Sequence, residues 1–227
     1  MLELFSLSKI KKYRNKPFLA ISLAMDLVTG KIRELIHFGF IGPPYDGMQN
    51  FPRVKFLYDS VVEFASCASG VALEIGCHKG CSTIFLSKAC LRKGIHKIYA
   101  IDLFTGTPTQ NQQFDTYVDA TSRIKKYGLE NNITLIRTHS LDCDWEKAID
   151  VLHIDADHGY NAVKEDLVKY IPFVNDGGIV IFDDYDTSHP GVQKAVHELV
   201  GEGDFEIVSV HSPGPEWGSI CLRKKTS

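Results

Sequence analysis

Two apolar runs of the chain end in a cluster of carboxylate and imidazole side chains. The runs are VLHIDADHGY, residues 151–160, and GGIVIFDDY, residues 177–185. Both begin as buried strands do, yet a packed core excludes charged groups that have no partner. The charged residues at their ends are Asp155, Asp157, His158, Asp183 and Asp184.

These groups would meet at one edge if the two strands are neighbours in a parallel sheet. Four carboxylates in one place repel each other and raise each other's pKa values. A divalent cation relieves that repulsion, and hard oxygen ligands suit magnesium, manganese or calcium. The other interpretation is that the acids cap helices or pair with lysine and arginine. The histidine beside them can accept a proton at neutral pH, because a free imidazole titrates near about 6.5.

A glycine-containing turn follows an earlier apolar run, in LEIGCHKGCST, residues 73–83. Gly76 allows a tight turn, and Gly80 lets the backbone approach a ligand closely. The spacing differs from the G-x-G-x-x-G of dinucleotide-binding domains. Asp102, at the end of the run KIYAID, has the position that accepts hydrogen bonds from ribose hydroxyls. Ser140, after a third run, would lie beside the base of a bound nucleoside. The alternatives for these two residues are a helix-capping aspartate and a polar loop.

The elements around these residues alternate between strand and helix from residue 51 onwards. That alternation predicts an α/β fold with a mostly parallel sheet and helices on both faces. The last two predicted strands, residues 205–212 and 218–224, follow each other without a helix and should pair as an antiparallel hairpin. Ligands of such open sheets bind beyond the carboxyl ends of the strands, which is where the residues above fall.

The first 50 residues differ from the rest of the chain. A basic segment, LSKIKKYRNK, precedes an apolar one, PFLAISLAMDLV, and a loop rich in Gly and Pro follows at 39–50. The apolar run is interrupted by Asp26, lacks a clear cleavage site and is too short to span a bilayer. We predict that residues 1–50 form a helical extension or lid that docks on the body or on a second copy, making a homo-oligomer. A peripheral membrane contact is the alternative, and residues 51–227 form the main domain.

The composition narrows the classes of function. The 227 residues carry a net charge of −3 at pH 7, with a sequence pI near 6.3. Proteins that bind nucleic acid usually present a basic face, so this charge argues against a nucleic acid acceptor. Six cysteines without a Cys-x-x-Cys pair indicate reduced, mostly buried thiols and a cytoplasmic protein. A zinc site at Cys77, His78 and Cys81 is a less favoured interpretation.

Four segments together resemble the class I S-adenosylmethionine-dependent methyltransferases: LEIGCHKGCST, IDLF, LHIDADHGY and GGIVIFDDY. Within that class the sequence is most similar to the metal-dependent sugar O-methyltransferases of the macrocin type, over residues 51–224. The resemblance implies a Rossmann-like sheet of seven strands with a reversed final strand. It also implies Glu74 near the methionine end of the cofactor, a turn from Gly76 to Ser82 around it, and Asp102 on its ribose. The expected cofactor-binding residues are Glu74, Gly76, Cys77, His78, Gly80, Ser82, Thr83, Asp102, Leu103, Ser140 and Asp155.

The same resemblance implies the chemistry. The metal ligands that it implies, for magnesium or manganese, are Asp155, Asp183 and Asp184. Catechol O-methyltransferases place a lysine base three residues after the first ligand, and this chain has His158 there, as the macrocin-type enzymes do. His158 would accept the proton, with Asp157 orienting it or acting as the base itself. The loop FTGTPTQNQQFDTY follows the family's Phe-Glu-Gly-Leu-Pro pattern only loosely, because Thr105 replaces the acid.

The expected function is transfer of a methyl group from S-adenosylmethionine to a hydroxyl of a small molecule or glycoconjugate. The resemblance suggests a sugar hydroxyl, and the polar segments TGTPTQNQQFD and DTSHPG would border its pocket. Three other classes stay open: an NAD-dependent oxidoreductase, a metal-independent methyltransferase acting on nucleic acid or protein, and a non-catalytic binding protein. The glycine spacing argues against the first of these, and the acidic edge argues against the second.

Overall fold

The chain divides into two compact units, Met1–Pro43 and Pro44–Ser227. The residues that the computed structural model describes are 17–45, 49–106, 115–212, 214 and 217–226. The expected boundary at residue 50 stays a prediction. Within the second unit, the Asn50 side chain accepts a hydrogen bond from the backbone N–H of Arg53 at 3.1 Å and caps the first helix.

The first unit contains one described helix, α1 (Pro17–Phe38). In its last turns the Lys31 ammonium contacts the Glu34 carboxylate at 2.7 Å, and that carboxylate accepts a hydrogen bond from the backbone of Gly42 at 2.8 Å. None of the helices in the described part of the chain has the length and apolar composition that crossing a membrane requires. The predictions for residues 1–16 lie outside the described residues.

The second unit is an alternation of strands and helices. Its strands are β1 (Val71–Ile75), β2 (Lys97–Asp102), β3 (Ile133–Arg137), β4 (Ile149–Ile154), β5 (Val174–Asp183), β6 (Phe205–His211) and β7 (Ser219–Lys224). Its α-helices are α2 (Phe51–Phe64), α3 (Cys81–Arg92), α4 (Tyr117–Lys126), α5 (Tyr160–Tyr170) and α6 (Pro190–Gly201). Two short 3₁₀ helices cover Ser140–Asp142 and Ile171–Phe173.

The seven strands form a single sheet in the order β3-β2-β1-β4-β5-β7-β6. The first five are parallel, and β7 is antiparallel to both of its neighbours, β5 and β6. The predicted parallel sheet with an antiparallel C-terminal hairpin is therefore confirmed. The strand order reverses between β1 and β4, so a crevice forms at their carboxyl ends, which is where such sheets bind ligands.

The two faces of the sheet are both covered, as predicted. Side chains alternate between the faces along a strand. On β1, Leu73 and Ile75 belong to the main apolar core, which includes Val163 and Leu167 of α5 and four residues of α6. The residue between them, Glu74, points to the opposite face, where α2 and α3 pack together. That side of the sheet therefore holds a charged group in the interior.

Asp150, near the start of β4, ties the segment between α2 and β1 to the sheet. Its buried carboxylate accepts hydrogen bonds from the backbone N–H groups of Ala68, Ser69 and Gly70, the last at 2.7 Å, and from the Asn175 side chain at 2.8 Å. Burial alone would raise the pKa of Asp150, but the hydrogen bonds from Asn175 and from the backbone outweigh it and lower the pKa.

We expect Asp150→Ala to lower the free energy of unfolding by at least about 2 kcal/mol, because hydrogen bonds to a charged group contribute about 1.5–3 kcal/mol each and water replaces only part of them. Chemical denaturation at neutral pH measures the loss. The lowered pKa means that the contribution of Asp150 is present above the ordinary aspartate pKa and is lost as the pH falls through the lowered one. The difference between wild type and variant should therefore shrink in acid. Asp144→Ala, at an exposed residue in the loop before β4, is the control and should change stability little.

Candidate active site

A cavity of about 770 Å³ opens at the carboxyl ends of the five parallel strands. Its volume is within the range of about 300–1,000 Å³ that small-molecule and cofactor sites occupy. The expected site residues that line it are Gly76, Cys77, His78, Ser82, Asp102, Leu103, Ser140, Asp155, Asp157, His158 and Asp184. The expected residues that are not part of its described wall are Glu74, Gly80, Thr83 and Asp183.

The turn after β1 depends on Gly76, which has a φ of +87°. A Cβ at this position would lie 2.1 Å from the backbone carbonyl oxygen of Asp155, which is too close for any side chain. The Gly76 N–H donates to the carbonyl of Ile101, and the Asp155 N–H donates to the carbonyl of Ile75, both at 2.9 Å. The glycine turn and the acidic turn after β4 are thus in direct backbone contact. Gly80, with a φ of +76°, closes the turn as the N-cap of α3.

Asp102 lies at the end of β2 on the wall of the cavity. One carboxylate oxygen accepts a hydrogen bond from the backbone N–H of His78 at 2.8 Å, and the other accepts one from Phe104 at 2.5 Å. Both donors have a positive φ, 47° and 57°, so the turns on either side of the carboxylate are shaped around it. A carboxylate has about four acceptor positions. Asp102 therefore retains capacity for ligand hydroxyls, beside the half-exposed Leu103.

Ser140 lies on the same wall, in the 3₁₀ turn after β3. Its carbonyl accepts a hydrogen bond from the Tyr170 hydroxyl at 2.5 Å, which anchors the turn to α5. The backbone of the turn is thus held in place, and Thr138 and His139 line the cavity next to it. This is the position expected for a residue near the base of a nucleoside.

Glu74 is fully buried and its carboxylate is satisfied within the protein. One oxygen accepts a hydrogen bond from the Thr83 hydroxyl at 2.5 Å, and the other lies 3.1 Å from Nδ1 of His153. Burial lowers the pKa of His153, but the hydrogen bond and the charge of Glu74 outweigh it and raise the pKa. The expectation of Glu74 beside the cofactor stays a prediction, since in this structure the Thr83–Glu74–His153 chain lies beneath the cavity. His153 is also buried.

The three expected metal ligands converge, and the guanidinium of Arg53 lies among them. Arg53 donates from Nε to Asp183 at 2.9 Å and contacts the same oxygen through Nη2 at 2.5 Å. Nη2 also lies 3.3 Å from an oxygen of Asp184 and 3.5 Å from one of Asp155. Gln49 donates from Nε2 to Asp155 at 3.0 Å. Arg53 thus places a positive charge among the carboxylates at this edge of the sheet.

The pKa values of Asp155 and Asp183 are shifted in opposite directions. Burial and the charge of Asp183 raise the pKa of Asp155 well above its usual range. Burial alone would also raise the pKa of Asp183, but the charge and hydrogen bonds of Arg53 lower it. Asp183 therefore holds the negative charge that faces Arg53, while Asp155 is the carboxyl group that more readily takes a proton.

His158 forms an ion pair with Asp184 across the turns after β4 and β5. Its Nε2 lies 2.9 Å from the Asp184 carboxylate, and its side chain is 36% exposed. The hydrogen bond to Asp184 raises the pKa of His158 above its ordinary value, against a smaller lowering by burial. Asp184 has a φ of +55°, an uncommon conformation for a residue other than glycine. With Nε2 bonded to Asp184, the other ring nitrogen, Nδ1, is the one left to exchange a proton with a ligand.

The carboxylate of Asp157 makes a different contact from the one expected. Its exposed carboxylate accepts a hydrogen bond from the backbone N–H of Gly159 at 2.7 Å, and so shapes the turn into α5. In this structure Asp184, and not Asp157, orients the imidazole of His158. A direct role for Asp157 in proton transfer stays a prediction.

Three residues of the site were missed by the sequence analysis: Gln49, Arg53 and His189. The first two come from the start of α2, far from any strand end in the sequence, and nothing in the local pattern marks them. The ring of His189 lies 4.5 Å from that of His158, and its Nδ1 is 2.9 Å from Asp186. The expected polar segment DTSHPG contains this histidine, so the pattern pointed to the segment without identifying the residue. Thr105 lines the cavity, but residues 107–114 of the other polar segment lie outside the described residues.

Comparisons of the sequence with known proteins match the same region. Residues 73–185, which run from β1 to just beyond β5, match the family model of a methyltransferase domain. An uncharacterised protein of Acanthamoeba polyphaga mimivirus is 33% identical over 138 residues, which cover 57% of this chain. The alignment spans 59% of the length of that relative.

Solved structures share the fold at low sequence identity. The O-methyltransferase NovP is similar with a TM-score of 0.65 and 16% identity, over 85% of this chain and 88% of its own. An O-methyltransferase from Bacillus cereus, in complex with SAH, gives 0.60 and 17% identity, over 78% of this chain and 82% of its own. An rRNA methylase from Streptococcus thermophilus gives 0.57 and 18% identity, over 78% and 99%. These likenesses establish the fold. The expectation that no nucleic acid is the acceptor stays a prediction.

We expect Gly76→Ala to be much more destabilising than a glycine substitution that adds backbone strain alone. Gly128 also has a positive φ but has no heavy atom within 4 Å of an added Cβ, so Gly128→Ala should cost about 1–2 kcal/mol from backbone strain. Gly76→Ala adds the overlap with the Asp155 carbonyl, and should cost about 1–3 kcal/mol more. Denaturant titration of both variants measures the difference, and equal losses would show that the contact between the two turns is unimportant.

Proposed function

We propose that this chain is a class I S-adenosylmethionine-dependent methyltransferase and that it transfers the methyl group of S-adenosylmethionine to an oxygen atom of a small molecule or glycoconjugate. One observation carries the proposal. A single cavity has a carboxylate suited to ribose hydroxyls on one side, Asp102, and an oriented histidine on the other, His158. Methyl transfer to a hydroxyl needs both a cofactor site and a group that removes a proton.

The described residues fit the cofactor. The Gly76 turn lets backbone pass where a side chain would collide, and Asp102 keeps acceptor positions after its two backbone hydrogen bonds. The first turn of α3 lines the cavity through Cys81 and Ser82. A helix N-terminus favours a negative group, and the methionine part of the cofactor carries a carboxylate. When bound, S-adenosylmethionine supplies an electrophilic methyl group and a neutral thioether as the leaving group.

The proposed cofactor site predicts that Asp102 contributes to cofactor binding. We expect Asp102→Ala to weaken the binding of S-adenosylhomocysteine by about 1–3 kcal/mol, or roughly 5- to 150-fold, because ribose hydroxyls lose their acceptor. Isothermal calorimetry measures the change directly. Asp142→Ala is the control, since Asp142 is exposed after β3 and does not line the cavity. Tighter binding of NAD than of S-adenosylhomocysteine by the wild-type protein would instead support a nicotinamide-dependent oxidoreductase.

The chain's own residues can manage the proton of the acceptor. Asp184 holds Nε2 of His158, which leaves Nδ1 to accept the proton as the new bond to oxygen forms. The Asp184 carboxylate then lies against the imidazolium, and Nη2 of Arg53 lies 3.3 Å from the same carboxylate. The polar lining around His158, including Gln49 and His189, suits a hydroxylated acceptor. A sugar hydroxyl is the acceptor that we propose.

A divalent metal was expected from the sequence, but the arrangement of the side chains does not favour it. The carboxylate oxygens of Asp155, Asp183 and Asp184 are the type of ligand that magnesium prefers. However, the position between them is held by the guanidinium of Arg53, so these residues as arranged do not fit a metal ion. For that reason proton removal is assigned to His158.

The proposed role of His158 in proton removal predicts how a variant without the imidazole behaves. We expect His158→Ala to lower kcat by about 10²–10⁴-fold, the usual contribution of a general base, with the affinity for S-adenosylhomocysteine nearly unchanged. The wild-type rate should fall as the pH drops through the pKa of His158, which lies above the ordinary 6.5. The variant should lack this acid limb. His96→Ala, at an exposed histidine outside the cavity, is the control. A variant that keeps both its rate and the acid limb would remove His158 from the reaction.

The acceptor can be identified with radiolabelled S-adenosylmethionine and a panel of glycosides, catechols and simple alcohols. Methylation of glycosides in preference to the others would support the sugar hydroxyl. Methylation of RNA alone would overturn the proposed acceptor class.

A further inference from the structure

Arg53 has the contacts that a bound cation would have at the acidic edge. It is only 4% exposed, and its guanidinium lies within 2.5–3.5 Å of oxygens from Asp155, Asp183 and Asp184. Magnesium needs oxygen ligands at about 2.0–2.1 Å in nearly octahedral geometry. An ion that used these three carboxylates would have to occupy the volume of the guanidinium. Arginine in this place and a metal ion therefore exclude each other.

The arginine is built into its position from several sides. Asn50 caps its backbone N–H at the start of α2, and the ring of Trp217 lies 5.1 Å from its guanidinium carbon. Trp217 itself has a φ of +70°. A cation over the face of a tryptophan is stabilised by the ring, the more so when water is excluded. Arg53 is therefore held by its helix, by an aromatic ring and by three carboxylates.

Both oxygens of Asp183 also accept hydrogen bonds within the protein. Oδ2 accepts hydrogen bonds from Arg53 and, at 3.4 Å, from Gln49, while Oδ1 accepts one from Ser219 at 2.6 Å. Asp184 Oδ2 is shared between Arg53 and His158. A metal ion would have to displace several donors at once. An arginine is also always charged, so the compensation that it gives does not depend on pH or on metal supply.

We infer that Arg53 is a built-in cation that takes the place of the divalent metal at Asp155, Asp183 and Asp184, so that methyl transfer by this chain needs no metal ion. The inference deepens the proposed function and rests on it where activity is the readout, but the metal-binding readout stands independently of activity. Arg53 neutralises Asp183 and holds Asp184 against His158, whereas a Lewis acid would act on the acceptor oxygen itself.

The experiment measures Mn²⁺ binding by electron paramagnetic resonance in the full-length protein, together with methyl transfer in the presence of a chelator. Wild type should show no Mn²⁺ site that depends on Asp183, and its rate should be unchanged by the chelator. Arg53→Met, which keeps an unbranched side-chain stem and removes the guanidinium with its charge, should bind Mn²⁺ at least about tenfold more tightly, because a like charge about 4 Å away opposes the ion by more than that factor at a protein's effective dielectric constant. That binding should disappear in Arg53→Met combined with Asp183→Asn.

The controls separate the role of the charge from a general loss of structure. Arg53→Lys keeps a cation at the edge and should not gain the Mn²⁺ site. Arg137→Met makes the same substitution at an exposed arginine that pairs with Asp115, and should bind Mn²⁺ as wild type does. Mn²⁺ binding by the wild type and by Asp183→Asn alone, and the wild-type rate with the chelator, do not need Arg53→Met, so they remain decisive if that variant fails to fold.

Three results would overturn the inference: an Asp183-dependent Mn²⁺ site in the wild type, loss of the wild-type rate on chelation, or a folded Arg53→Met that binds no more Mn²⁺ than wild type. Failure of the wild type to bind S-adenosylhomocysteine would instead contradict the proposed function and leave the metal-binding result to stand by itself.

Discussion

The structure of the site depends on the repulsion between carboxylates that neighbouring parallel strands place at one edge. The register of β4 and β5 pairs Ile154 with Phe182, so the next residues, Asp155 and Asp183, come out side by side. Two buried carboxylates cannot both be ionised there without a compensating charge. Arg53 supplies it, which requires α2 to begin beside the edge. A charge pattern on two strands thus determines where a helix far away in the sequence must start.

Two histidines, besides Arg53, also lie close to these carboxylates. Beneath the edge, His153 carries a raised pKa through Glu74, and one of its ring nitrogens lies within 4.8 Å of oxygens of both Asp155 and Asp183. Above it, His158 is bonded to Asp184. An arginine and two histidines therefore face the carboxylates, from the helix, from the interior and from the cavity. Of the two histidines, only His158 is part of the described wall of the cavity, which is why it suits proton transfer better than His153.

Much of the fold could be predicted because it follows from local patterns. Apolar runs ended by charged or glycine residues marked the strands, and a sequence without a helical pattern between residues 212 and 218 predicted the antiparallel hairpin. The location of the site followed from the strand order in the same way. Asp102, Asp155, Asp184 and His158 all line the cavity because strand ends in a parallel sheet meet at one edge.

The partners of those residues could not be predicted, because they come from segments that are distant in the sequence. Arg53 stands in an ordinary amphipathic helix, and no spacing relates it to the acids 102 to 131 residues later. Asp157 and Asp184 are equally acidic in the sequence, and only the backbone shows which one faces His158. Asp184 reaches it through a left-handed conformation, whereas Asp157 bends back to its own turn. The local sequence therefore identified the charged residues, but only the tertiary structure shows which of them form pairs.

The contact between the two turns would, under the proposed function, join the cofactor side of the cavity to the acceptor side. Because Gly76 has no side chain, the carbonyl of Asp155 can lie against its α-carbon, and backbone hydrogen bonds from β1 to β2 and from β4 to β1 hold both turns. A shift of the glycine turn therefore moves Asp155, and with it the network of Arg53 and Gln49 that the carboxylate contacts. In-line transfer requires the reacting atoms to be positioned within fractions of an ångström. Backbone contact between the turns is a rigid way to maintain that alignment, since it does not depend on the conformation of any long side chain.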